Sequence, residues 1–168
     1  MKATLIVEGR EFPIEIHDPE LHKLLKPLEK TGYERVEDNQ FYYNVYVDDE
    51  IDDNKEEDLS ADDDMYNIAN YYSDRAVAEN NARADRLMRQ LRRFAVEHRE
   101  SKPDWKDSYT RKYYLKYNHD IQDIVADFCH YLQFFGAIYF EDEDMANLAI
   151  ETFHDELIWY FTEYKDSL

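Results

Sequence analysis

Carboxylates are the chemistry most abundant in this chain. Its 168 residues hold 39 Asp and Glu against 20 Lys and Arg, a net charge of -19. The stretch VDDEIDDNKEEDLSADDD, Val47 to Asp64, packs eleven acids and one base together. Such a run can coordinate a cation, lie solvated in a loop, or face a positively charged partner. Asp48, Glu50, Asp52, Asn54 and Glu56 alternate as oxygen ligands do in a Ca²⁺ loop. The glycine that lets such a loop turn is missing. The six histidines are spread out, with no HExxH and no Cys/His cluster for zinc. No GxGxxG or GxxxxGK[ST] run is present, so no phosphate-cradling loop is expected. Ser60, Ser73, Ser101 and Ser108 lack a nucleophile elbow. Cys129 and His130 are neighbours on a predicted strand, where adjacent side chains point to opposite faces; a buried structural thiol is expected. No metal, no cofactor and no catalytic constellation follow from these residues, and the chain reads as non-enzymatic.

The distribution of charge narrows the choice. Residues 1–47 carry -3, residues 48–64 carry -10, residues 65–118 carry +5 and residues 119–168 carry -11. A field of this sign repels nucleic acids and anionic membranes and attracts basic proteins. The candidate partner-binding residues are therefore Asp48, Asp49, Glu50, Asp52, Asp53, Glu56, Glu57, Asp58, Asp62 and Asp63 of the first block, with Glu143, Asp144, Glu151, Asp155 and Glu156 of the second. Rigid carboxylates can imitate nucleic-acid phosphates and occupy a basic groove, with Trp159, Tyr160 and Tyr164 adding contact area. Seven of the ten arginines fall in one helical stretch. Its face Arg83, Arg86, Arg89 and Arg93 is the place to test for direct nucleic-acid binding, against the alternative of a solvated face in intramolecular ion pairs.

The elements that must position these groups are legible as patterns. Residues 3–16 read as two short strands around Gly9-Arg10. DPELHKLLKPLEK (18–30) reads as a short helix capped by Asp18, and QFYYNVYV (40–47) as a strand. Residues 48–64 have no period and read as a flexible acidic loop, extended by self-repulsion. A short helix is expected over DMYNIANYY, capped by Asp63 or Asp64. A long one follows, capped by Ser73, with the apolar stripe Val77, Ala84, Leu87, Met88, Leu91, Phe94 and Ala95. Arg111–Tyr117, Asp123–Phe134 and Phe135–Glu141 read as strands. The chain ends in a helix with Met145, Leu148, Ala149, Phe153, Leu157, Tyr160, Phe161 and Tyr164 inward. This order predicts an α+β fold: one domain over 1–168, an antiparallel sheet with two long helices packed on one face. No run approaches a membrane span, and a single cysteine suits a reducing, cytoplasmic setting.

Several stretches resemble small, uncharacterised acidic proteins of phages, prophages and mobile elements of Gram-positive bacteria. They are NARADRLMRQLRRFAVEHR (81–99), FHDELIWYFTEYKDSL (153–168), TGYERV (31–36), the tyrosine-rich FYYNVY, and the segment Phe135–Phe140. The resemblance implies an accessory protein acting inside a bacterial host cell, in the company of anti-CRISPR and anti-restriction proteins, several of which are DNA mimics. The implied partner is a basic nucleic-acid-binding protein such as a defence nuclease. The alternative is a phage structural or regulatory protein acting through aromatic contacts, with Tyr71, Tyr72, Tyr113 and Tyr114 on its surface.

Overall fold

The computed structural model describes residues 2–7, 9–17 and 30–164. The helix expected over 18–30 lies outside the described residues, save Lys30. Three antiparallel hairpins and three helices make up the rest. β1 (Lys2–Val7) pairs with β2 (Arg10–Glu15) across the expected Gly9-Arg10 turn. β3 (Phe41–Val45) pairs with β4 (Ile51–Lys55), and α1 (Ser60–Asn67) and α2 (Arg75–Glu97) follow. β5 (Lys112–Asn118) pairs with β6 (Asp123–Cys129), and α3 (Glu143–Trp159) leads into a wide helical turn over Tyr160–Tyr164.

The mixed α and β content and the antiparallel pairing match expectation; the single sheet does not. In two of the hairpins one strand edge closes on a single residue. Tyr43 of β3 bridges Tyr72, and Tyr113 of β5 bridges Phe140. Beyond each bridge the chain turns into a helix cap, so no further strand can add. The Phe135–Glu141 strand of the sequence reading thus shrinks to one bridge residue. Nor do the long helices share one face of a sheet: α2 lies chiefly against β3–β4, and α3 against β5–β6.

Residues 48–64 differ most from expectation. Val47–Glu50 form a hairpin turn in which Asp49 adopts a left-handed φ of 67°, a conformation that Asp tolerates. β4 and the first turn of α1 complete the segment. α2 is capped by Asp74, whose Oδ1 accepts from Ala76 N at 2.7 Å, rather than by Ser73. Ser73 is held elsewhere: its hydroxyl donates to Glu34 and its N–H to the Gly32 carbonyl, at 3.0 and 2.8 Å. The apolar stripe of α2 is placed as read, with Ala84, Leu87, Leu91, Phe94 and Ala95 buried. Leu87, Leu91, Phe94 and Ala95 join Tyr113, Ile124, Phe140, Ala146, Ala149 and Leu157 in the main core. Leu148, expected inward, is exposed. α3 kinks at Phe153 (φ -118°, ψ 18°), one residue after Thr152 turns its hydroxyl back onto the Leu148 carbonyl.

A candidate acidic interaction surface

Two of the acids are buried. Glu56 and Asp62 are 1 % and 4 % exposed, which removes both from the accessible partner-binding set. Glu56 accepts a two-pronged contact from Arg35, Nε at 3.0 Å and Nη2 at 2.9 Å, and further bonds from the Tyr71 hydroxyl at 2.7 Å and Asp58 N at 3.0 Å. Asp62 accepts from Glu57 N, Leu59 N and the Tyr42 hydroxyl, at 3.1, 3.0 and 2.9 Å. The rings of Tyr42 and Tyr71 stack between the two carboxylates, centroids 4.0 Å apart. Every charged oxygen is met by a donor, the condition under which a buried charge is tolerated. The Arg35 hydrogen bonds hold the Glu56 carboxyl below its usual range, and the Leu59 N–H chief among others does so for Asp62. Burial, with the carboxylate partner second, pushes the Tyr42 hydroxyl up to about 12 and raises that of Tyr71. This network has no free polar group aimed at a ligand; it fixes β4 and α1 against the TGYERV turn.

That turn is built for the purpose. Gly32 has φ +86°, and a Cβ there would lie 2.5 Å from Val77 Cγ2 on α2. Glu34 collects Thr31 N, Gly32 N and the Ser73 hydroxyl. These donors, the Thr31 N–H first, hold the Glu34 carboxyl down to about 2. Arg35 is thereby aimed at Glu56 and, 2.6 Å away, at Asp63; Asp58 lies 3.8 Å off.

The two acidic blocks, far apart in sequence, meet on the arginine ridge of α2. Glu156 of α3 takes Arg83 in a two-pronged pair, Nε at 2.8 Å and Nη2 at 3.0 Å. Asp49 of the β3–β4 turn takes Arg89 Nη2 at 2.5 Å and lies 3.9 Å from Arg86 Nη1. Arg83 and Arg89 are roughly 9 Å apart along the helix axis. The Arg83 guanidinium also covers the buried Trp159 ring, 3.9 Å from its centroid, so Trp159 offers no free contact area. Arg93 lies 3.9 Å from Glu97, one turn along its own helix. Three of the four residues of the arginine face thus hold acidic elements in place, and the fourth has a carboxylate neighbour.

The remaining acids face outward. Asp48, Glu50, Asp52 and Asp53 are exposed on the β3–β4 hairpin, and Glu57, Asp58 and Asp63 on its far side. Glu57 lies 3.9 Å from Lys55. On α3, Glu143, Asp144, Glu151 and Asp155 are exposed. Asp144, Glu151 and Asp155 follow a seven- and four-residue spacing that keeps them on one side of a helix. Asp155 lies 3.5 Å from His154, whose Nε2 is 2.9 Å from Asp123. The carboxylates raise the His154 imidazole above its usual range, Asp123 most. Among the described residues no group of three or more His, Cys, Asp or Glu side chains converges to hold a metal ion. No helix among them is long and apolar enough to cross a membrane.

The aromatic residues named for the alternative are mostly inside. Tyr71, Tyr72 and Tyr113 are buried and Tyr114 is half-buried. Cys129 is buried as expected. Sequence reasoning missed two features. Lys112 is buried with Nζ donating to the carbonyls of Asp107, Thr110 and His130. A run of exposed aromatic and aliphatic side chains lies at Tyr131–Phe135. A run of polar turn residues before β5 is a signal for the first; four apolar residues within YLQFF, read as strand, hid the second. No protein-family model, curated protein or solved structure matches this chain, so the resemblance to phage and mobile-element proteins gains no support from them.

Proposed function

We propose that this chain is a non-enzymatic inhibitor that occupies the basic nucleic-acid-binding groove of a partner, in its sharpest form an anti-CRISPR or anti-restriction protein acting on a host defence nuclease. One observation carries the reading: Asp49 and Glu156 lock the two acidic blocks onto a single ridge, Arg83 to Arg89. Carboxylates on a hairpin and a helix held together lose less freedom on binding than those of a loop, so more of the Coulomb attraction survives as affinity. Internal pairing also quenches the basic ridge, leaving the outward surface dominated by acid.

The test is binding to purified defence nucleases, in competition with a DNA duplex and at about 0.1 and then 0.5 M NaCl to vary screening. Asp52→Asn with Asp53→Asn, and Asp144→Asn with Glu151→Gln, remove two exposed charges from one block each without touching an internal pair. The expected result is salt-sensitive binding that DNA displaces and that either double variant weakens at least about tenfold, or 1.4 kcal/mol. Unchanged binding with all four substitutions combined sinks the proposal.

A further inference from the structure

A second surface has the opposite character. Between β6 and α3, residues 128–140 carry no Asp, Glu, Lys or Arg, in a chain of net charge -19. Phe134–Ala137 form a turn closed by Ala137 N donating to the Phe134 carbonyl at 3.2 Å, with Gly136 at φ +77°. The Tyr139 hydroxyl accepts from Phe134 N at 2.7 Å and braces the turn. A positive φ in the third position is what Gly allows, and it throws the second residue, Phe135, clear of the protein. Beside that ring opens an apolar cavity of about 350 Å³, walled by Leu87, Leu91, Leu115, Ile138, Leu157 and Phe161, with Phe134 and Phe135 at its rim.

We propose that this surface is a self-docking site: the Phe135 ring of one copy enters the cavity of a second copy, and the exchange is reciprocal. Knob and cavity lie side by side on one face, which a two-fold contact requires, since each patch must be its own complement. The volume fits, because a cavity of roughly 150 Å³ already accepts benzene. The area fits as well. Tyr131, Phe134 and Phe135 are 72, 45 and 109 % exposed. At about 200 Å² per aromatic side chain they present ~450 Å², over half of the ~800 Å² that each partner brings to a standard interface. Leu132, 54 % exposed, and the cavity wall add to this. The occupant is a second copy because the patch is neutral: two chains of -19 can meet here without bringing carboxylates into contact.

Sedimentation equilibrium of the full chain from about 1 to 100 μM, in roughly 0.05 and 0.5 M NaCl, tests the proposal. A dimer is expected that tightens with salt, as screening weakens the repulsion between the acidic surfaces. Phe135→Ser is expected to weaken it at least about tenfold with unchanged circular dichroism, and Val47→Ser, exposed on the β3–β4 turn and outside the cavity lining, to leave it intact. In a dimer mixed from differently isotope-labelled chains, the Phe135 ring should show intermolecular NOEs to the Leu115 and Leu157 methyls. A wild-type monomer at the highest concentration in high salt overturns the proposal. So does a dimer that Phe135→Ser leaves unchanged, or one lacking those NOEs, which would place the ring elsewhere. A monomer whose cavity takes up a small apolar probe would overturn it too, in favour of a ligand pocket.

Discussion

Replacing Glu56 by Gln and Asp53 by Asn removes the same charge at two positions three residues apart in one acidic run, yet the structure assigns them opposite effects. Glu56 receives two bonds from Arg35, one from Tyr71 and one from Asp58 N. Gln preserves the shape but has one acceptor oxygen, and its amide must face a donor already present. Hydrogen bonds to charged groups contribute about 1.5–3 kcal/mol each, and stranding one partner of a buried pair costs about 3–5 kcal/mol. Arg35 retains Asp63 at 2.6 Å and its side chain is 33 % exposed, so the loss lies at the low end, about 3 kcal/mol. For a chain of this size that is roughly 6–12 °C in Tm. Asp53 is exposed and outside every ion pair among the described residues. Its substitution should stay within about 0.5 kcal/mol and lean toward stabilisation, since it relieves repulsion. Thermal and urea unfolding at pH 7, followed by circular dichroism, measure both. Glu56→Gln melting within about 2 °C of wild type, or Asp53→Asn falling as far as Glu56→Gln, would refute the division of this stretch into buried and surface acids.

Other outcomes follow from the same contacts. Gly32→Ala places a Cβ 2.5 Å from Val77 Cγ2 at φ +86° and should cost about 2 kcal/mol or more in unfolding free energy, whereas Gly9→Ala, also at positive φ but with open space around it, should cost less. Lys112→Met leaves three carbonyls without their buried ammonium donor and should lower stability by roughly 1–3 kcal/mol, visible in a urea titration. Acid should unfold the protein. Glu34, Glu56 and Asp62 have lowered folded values, so the stability they give is present above the ordinary carboxylate range and is lost as pH falls through those values, for Glu34 about 2. Glu56→Gln should flatten this acid limb. His154 has the opposite sign: its contribution is complete below pH 6.5 and fades as pH rises through its raised value. An NMR titration of His154 midpointing at or below 6.5 would contradict the Asp123 contact.

Local pattern alone determined a good part of the molecule. The stripe of α2 is a period of 3.6 written in Leu87, Leu91 and Phe94, and burial of that face is a local demand that no partner needs to specify. The β1–β2 and β5–β6 hairpins, the burial of Cys129 and the charge segregation along the chain were readable for the same reason. The fate of the acids was not. Whether a carboxylate is solvated or buried depends on donors that arrive from elsewhere: Arg35 is twenty-one residues from Glu56, Tyr42 twenty from Asp62, and Arg83 seventy-three from Glu156. Composition sees only repulsion among neighbours and predicts a loop. Folding supplies an arginine, two tyrosines and three backbone N–H groups, and the same residues become a strand, a helix cap and a fixed edge of the acidic surface. The outward turn of Phe135 was decided the same way, because the Tyr139 hydroxyl and the Tyr113–Phe140 bridge claim the backbone that would have made it part of a strand.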